Sequence, residues 1–196
     1  MPGFQKSLSP KNLADRLFTT LGESVFACYQ CGKCTAGCPL STEMDLAPNQ
    51  ILLCLQAENP GQDDAVLRSR AIWLCLACET CHSRCPKEVN LPAIVDFMRQ
   101  ESVQQGKTHP EARDIVSFHE AFLDSIRANG RLHEVGLIAG YKFKTFHMLQ
   151  DVLLAPRMLC RGKLGIFPDG VRNKAAIRRL FERAAALDDG SDGEQG

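Results

Sequence analysis

The stretch Cys28–Pro39, CYQCGKCTAGCP, sets four thiols close together and ends on a proline, and Cys75–Pro86, CLACETCHSRCP, repeats the pattern. Both runs have the form C-x-x-C-x-x-C-x-x-x-C-P, and no other internal repeat is visible. Three thiolates separated by two residues each can wrap one face of an iron-sulfur cube and bond three different irons. The fourth is displaced, and the proline after it turns the chain away.

In two-cluster ferredoxins that fourth cysteine ligates the other cluster. The spacing therefore predicts a crossed arrangement in which Cys28, Cys31 and Cys34 with Cys85 hold one 4Fe-4S cluster, and Cys75, Cys78 and Cys81 with Cys38 hold the other. Zinc also takes four cysteines, but its structural sites usually draw two C-x-x-C pairs from separate segments, so a compact quartet duplicated in tandem fits it poorly. Disulfides between such close neighbours are awkward to close without strain. Cys54 and Cys160 stand outside the runs and read as small buried hydrophobes. His82 lies inside the second run and reads as a supporting or surface residue, not an iron ligand. The runs differ in their intervening residues: Gly32 and Gly37 in the first let backbone approach a cluster, whereas the second has Glu79, Thr80, His82, Ser83 and Arg84. Different surroundings should separate the two potentials, with Arg84 favouring a reduced cluster and Glu79 opposing it.

The rest of the chain limits the function. Its 196 residues carry 23 basic and 23 acidic side chains, so it lacks the basic excess that would attract nucleic acid or an anionic membrane. Ten cysteines in an exported protein could form a disulfide framework. The segment MPGFQKSLSPKNLADRLF shows no export signal, however, and a cytoplasmic location is expected. No apolar run approaches the roughly 20 residues needed to span a bilayer.

Local signals are helical throughout. Ser9 before Pro10 reads as an N-cap, stapled by Leu8 and Leu13, for a helix that carries Leu13, Leu17 and Leu21 and stops at Gly22. Pro48 opens a second helix with Ile51, Leu52 and Leu55, stopped by ENPG. Asp63 or Asp64 is placed to cap a third that leads through Leu67, Ile72 and Trp73 to the second run. Another begins near Pro92 and carries Ile94, Val95 and Met98 to Gly106. Beyond it, apolar patterns recur over Ile115, Phe118, Phe122 and Ile126 to Asn129-Gly130, over Thr145 to Leu154, and over Val171 to Leu187. No strand pattern is sustained. Residues 188–196, acidic and glycine-rich, read as a disordered tail.

Residues 39–74, between the runs, carry helical patterns in place of the hairpins of a small β-rich ferredoxin. Here CYQCGKCTAGCP, AIWLCLACETCHSRCP with VNLPAIVDFMR, and later ANGRLHE and RGKLGIFP together resemble the iron-sulfur C-type subunit of heterodisulfide reductase, within the broader α-helical ferredoxin family. The resemblance covers most of residues 8–187. It implies a mainly α fold: a helical ferredoxin domain with two 4Fe-4S clusters over 1–106 and a helical C-terminal extension over 107–187. It also implies an electron-transfer role without catalytic residues, in a cytoplasmic hetero-oligomer. The two partners it implies are a flavin-containing A-type subunit and a catalytic, disulfide-reducing B-type subunit. The chain has no G-x-G-x-x-G or G-x-x-x-x-G-K for a nucleotide, and none of the CCG segments that carry the disulfide chemistry in that family. A related redox complex, sulfur-oxidising or otherwise bacterial, and a freely diffusing ferredoxin-type carrier are the alternatives. After Gly106, the first apolar stripe is expected to pack as core. The second, Phe143, Phe146, Met148, Leu149, Leu153 and Leu154, is expected to dock a partner.

Overall fold

The computed structural model describes residues 12–145, 171 and 173–192. Among them every regular element is helical. The chain divides after Ala112 into two compact units, later than the expected boundary at Gly106. Residues 107–112 belong with the first unit because Lys107 pairs with Asp64 at 3.0 Å, Glu111 pairs with Arg70 at 3.0 Å, and Ala112 is buried.

The first unit begins with α1 (Leu13–Leu21), which buries Leu13, Ala14 and Leu17. Its cap is Asn12, whose side chain accepts from the Asp15 backbone N–H at 2.8 Å, and Gly22 closes it at φ +72°. Ser9, Pro10 and Leu8 lie outside the described residues. A 3-10 turn (Val25–Ala27) leads into the first cysteine run, which contains the short α2 (Lys33–Gly37). Then come α3 (Pro48–Gln56) and α4 (Pro60–Leu67). The cap of α4 is Asn59, with Pro60 at the first helical position, so the ENPG stretch both stops one helix and starts the next. Asp63 and Asp64 have other partners: Asp63 accepts from the Leu13 backbone N–H at 3.2 Å, and Asp64 binds Arg68 at 2.7 Å.

A four-residue α5 (Ala71–Leu74) enters the second run, which contains α6 (Thr80–Ser83), and α7 (Leu91–Gln104) follows under an Asn90 cap. The core joins Leu17, Ile51, Leu55, Val66, Leu67, Ile72, Ile94, Val95 and Met98, each at most 2% exposed. Removing such side chains from water is the main favourable term in folding. One buried carboxylate lies among them. Glu101, 4% exposed, accepts from Arg16 of α1 and from Gln105 at 2.8 Å, so its charge is both paired and hydrogen-bonded.

The arrangement is an internal duplication at the level of structure as well as spacing. Each half runs short turn, cysteine run with a one-turn helix, then a longer apolar helix: Val25–Ala27, α2 and α3 in the first, α5, α6 and α7 in the second. The two one-turn helices, α2 and α6, pack on each other.

The second unit contains α8 (Arg113–Asn129), α9 (Glu134–Thr145) and α10 (Lys174–Asp192). Gly130, at φ +80°, ends α8 where Asn129-Gly130 predicts. The first apolar stripe, expected to pack as core, buries none of its four residues: the Phe118 ring lies 6.0 Å from Tyr141, edge-on, but is 42% exposed, and Ile115 is exposed as well. Arg127 stacks over Phe181 of α10 at 4.9 Å. Of the second stripe, Phe143 is 74% exposed on α9, while Phe146 to Leu154 lie outside the described residues, as does Cys160. The last helix starts three residues after Val171 and continues to Asp192, into the stretch read as a tail.

Candidate metal centre

The geometry of the runs starts with their backbones. In the first, Gln30 and Gly32 take positive φ, at +61° and +74°; in the second, the corresponding Ala77 and Glu79 do so at +49° and +59°. Two left-handed residues per run curl the chain so that its first three cysteines line one cavity, and α2 and α6 begin directly after the second left-handed residue. Left-handed backbone costs a non-glycine L-residue about 1 kcal/mol, and only Gly32 of the four avoids it. A Cβ at Gly32 would meet no protein atom within 4 Å, but Gly32 lines the first cavity, so its substitution carries the backbone cost together with any contact to a bound cluster. Gly32→Ala is expected to destabilise the protein by about 1 kcal/mol and Glu79→Gly to stabilise it by a similar amount. Anaerobic denaturant titration gives both signs.

The structure brings the eight cysteines of the runs around two cavities. Cys28, Cys31, Cys34 and Cys85 line one, with Asn49, Leu52 and Val89; its space, including the mouth open to solvent, is about 350 Å³. Cys38, Cys75, Cys78 and Cys81 line the other, about 520 Å³ on the same measure, with Ile51, Ala71, Pro92 and Val95. The second cavity thus has three thiols from one run and the last thiol of the other, and the first has the reciprocal four with Cys81 as a fifth. Cys81 and Leu91 border both, so the cavities share a wall.

The donor set fits an iron-sulfur cluster better than a single ion. All eight donors are thiols, and the described cysteines are free. Among the described residues no three Cys, His, Asp or Glu side chains converge as a mononuclear site requires, where sulfur would stand about 2.3 Å from zinc. The thiols surround spaces instead of meeting at a point. Burial pushes the Cys34 and Cys75 thiols up and carries Cys81 up to about 11. The backbone N–H of Lys33 holds Cys31 down, and the Thr80 hydroxyl, 3.4 Å from Cys78, holds that thiol down. Iron, if bound, would be held by these thiols as thiolates and would offset the burial that opposes their charge.

Residues distant in sequence hold the runs in place. Gln56, the last residue of α3, donates to the Val25 carbonyl at 2.8 Å and to the Cys28 carbonyl at 2.7 Å. Gln30 reaches Gln56 at 3.1 Å, and its backbone N–H points at the Cys28 sulfur at 3.4 Å. Asn49 and Thr35 complete this amide network, with the Thr35 hydroxyl 2.6 Å from the Asn49 side chain. On the other half, Arg99 donates to the Ile72 carbonyl at 2.6 Å and to the Cys75 carbonyl. Asp45 ties the loop after the first run to the start of α5, accepting from Ser69, Arg70 and Ala71 at 2.7 to 2.9 Å. Burial opposes its charge, but these hydrogen bonds hold its carboxyl below the usual carboxylate range. His82 lines neither cavity; its Nδ1 lies 3.3 Å from the Val89 carbonyl oxygen. Cys54, half-buried, lies outside both. Arg84 crosses to α2, where its side chain fills the space a Cβ on Gly37 would need.

Sequence reasoning passed over Gln56, Arg99 and Asp45. The first two could have been found by aligning the helices that follow each run, since each is the ninth residue of its helix.

A family model described as a 4Fe-4S dicluster domain matches residues 22–89. Relatives include the C-type iron-sulfur subunit, form 2, of the CoB–CoM heterodisulfide reductase of Methanocaldococcus jannaschii, 34% identical over 113 residues, which cover 58% of this chain and 59% of that protein. The C-type subunit of the H(2):CoB-CoM heterodisulfide,ferredoxin reductase of Methanothermobacter thermautotrophicus is 29% identical over 108 residues, 55% of this chain and 57% of the relative. The C-type subunit of the ferredoxin:CoB-CoM heterodisulfide reductase of Methanosarcina acetivorans is 40% identical over 79 residues, 40% of this chain and 30% of the relative. The chain spans less than two thirds of the length of each.

Proposed function

For a chain that contains a 4Fe-4S dicluster domain and is homologous to the C-type subunits of heterodisulfide reductases, we propose the role of electron-transfer subunit in a heterodisulfide reductase-type complex. It relays single electrons between a flavin- and iron-sulfur-containing subunit and a catalytic subunit that reduces a disulfide. Cys28, Cys31, Cys34 and Cys85 hold one cluster; Cys75, Cys78, Cys81 and Cys38 hold the other. The clusters supply reversible one-electron storage, and the chain's own residues position, insulate and tune them.

The observation that carries this reading is the shared wall. Two thiol-lined cavities bordered jointly by Cys81 and Leu91 set two redox centres side by side, and electron tunnelling weakens so steeply with distance that adjacent centres are what a relay needs. Tyr29 and Leu76, each directly after the first cysteine of its run, are 56% and 68% exposed. They give each site an apolar, solvent-facing flank of the kind partner surfaces cover. Phe143 extends the same logic to the second unit. Among the described residues no helix is long and apolar enough to cross a membrane, and free thiols in such number suit a reducing cytoplasm.

Anaerobic affinity purification from the native host tests the role. The chain should bring down a flavoprotein and a cysteine-rich subunit, and dithionite-reduced chain should be reoxidised by the copurified complex when disulfide substrate is added. A chain that purifies alone and keeps its electrons in the presence of those subunits is a free carrier instead.

A further inference from the structure

The two halves of the duplicated domain hold their cysteine runs with the same device built from different chemistry. Gln56 and Arg99 occupy the ninth position of α3 and α7. Each reaches back to two carbonyls, that of the first cysteine in the run and that of the residue three before it: Val25 and Cys28 for Gln56, Ile72 and Cys75 for Arg99. One clamp is a neutral amide and the other a guanidinium, which stays charged at any pH a protein experiences. Shared geometry with unlike charge makes the two sites electrostatically different at equivalent points.

We propose that Arg99 makes the site lined by Cys75, Cys78, Cys81 and Cys38 the higher-potential of the two, so that an electron held by this chain rests there by preference. Reduction adds one negative charge to a site, and a fixed cation nearby stabilises that added charge. The Arg99 side chain is only 23% exposed, so solvent screens it weakly. Other charges near the sites do not cancel this difference. Asp96 pairs with Arg99 at 2.9 Å but is 54% exposed on its side chain. Lys33 lines the first cavity and Glu79 flanks the second, but both are exposed, so solvent screens their charges more than it screens Arg99. Arg84 belongs to neither site alone, since it precedes Cys85 and lies against Gly37, which precedes Cys38. Arg99 acts through the backbone and its field. It is a positioning and tuning residue, not a ligand.

The proposal rests on the two-cluster reading but not on any partner, and the test uses the isolated anaerobic chain. A dithionite titration followed by electron paramagnetic resonance reads both midpoints, each assigned to its site with Cys31→Ser and Cys78→Ser reference proteins. Arg99→Gln, which gives the second half the clamp of the first, should lower the second-site midpoint towards the first and leave the first in place. Arg99→Lys should keep most of the wild-type separation. Gln56→Lys should raise the first-site midpoint, and it carries the test if Arg99→Gln sheds a cluster. The proposal is overturned by a wild-type first site that titrates at the higher potential, by unchanged midpoints in Arg99→Gln, or by a Gln56→Lys first-site midpoint that does not rise. Failure of the chain to copurify with reductase subunits would leave these midpoints as they are, so the two readings fail separately.

Discussion

Cys38→Ser is expected to damage the cluster held by Cys75, Cys78 and Cys81, and Cys85→Ser the cluster held by Cys28, Cys31 and Cys34. The reason is geometric: Cys38 lines the cavity of the second run, and Cys85 that of the first. A serine oxygen is a poorer iron ligand than thiolate, so each variant should lose or convert one cluster. The loss should approach about half the iron, as one of two clusters depends on each residue. Iron analysis with spectroscopy able to tell the clusters apart gives the answer. If each substitution harms the cluster of its own run, the crossed assignment is wrong. The fold gives this result a further consequence. Because α2 and α6 pack on each other and each precedes the cysteine that completes the other half's site, loss of either cluster should loosen both short helices. The intact cluster in each single variant should then become more sensitive to oxygen.

Removing both clusters by chelation or air is expected to unfold the two runs while α3 and α7 persist. Neither α2 nor α6 buries a single residue, and both are too short to be stable as isolated helices. Apart from the Thr35–Asn49 hydrogen bonds of α2 and the packing of each on the following helix, they rest on their thiols and on each other. By contrast, α3 buries Ile51, Leu52 and Leu55, and α7 buries Ile94, Val95, Phe97 and Met98, in a core that contains no iron ligand. Amide exchange should therefore rise steeply over residues 28–38 and 75–85, by about a hundredfold or more, with little change in the middle of α7. Proteases should cut first in those runs. Protection that survives complete cluster loss in both runs would show that the left-handed turns and the Gln56 and Arg99 clamps suffice without metal. Equal loss of protection over α7 would show that the metal holds the whole unit together.

The parts of this protein legible from its sequence are those whose cause lies within a few residues. The duplicated thiol spacing is one, because ligands two residues apart can reach one cluster only if the chain curls locally. The helix starts at Pro48 and near Pro92, the stop at Gly22, and the end of α8 at Asn129-Gly130 are others, since caps and left-handed glycines act over a single turn. The start of α4 is misplaced by the local signals. They put its cap at Asp63 or Asp64, but Asn59 with Pro60 starts it, and Asp63 is occupied by the Leu13 N–H of α1. The domain boundary moved for the same reason, as Lys107 and Glu111 found partners in α4 and at Arg70.

The left-handed turns at Ala77 and Glu79 were hidden because neither residue advertises that conformation as Gly32 does. What the sequence by itself determined is therefore the thiol spacing, its division into two runs and the helical class. Which residues hold those runs was decided by tertiary structure alone. Gln56 reaches carbonyls 28 and 31 residues away, and Arg99 reaches carbonyls 24 and 27 residues away. The shared ninth position marks the two residues as equivalent but not what they bind, because these hydrogen bonds form only once α3 and α7 have packed their apolar faces into the core and carried those two side chains to the backs of the cysteine runs.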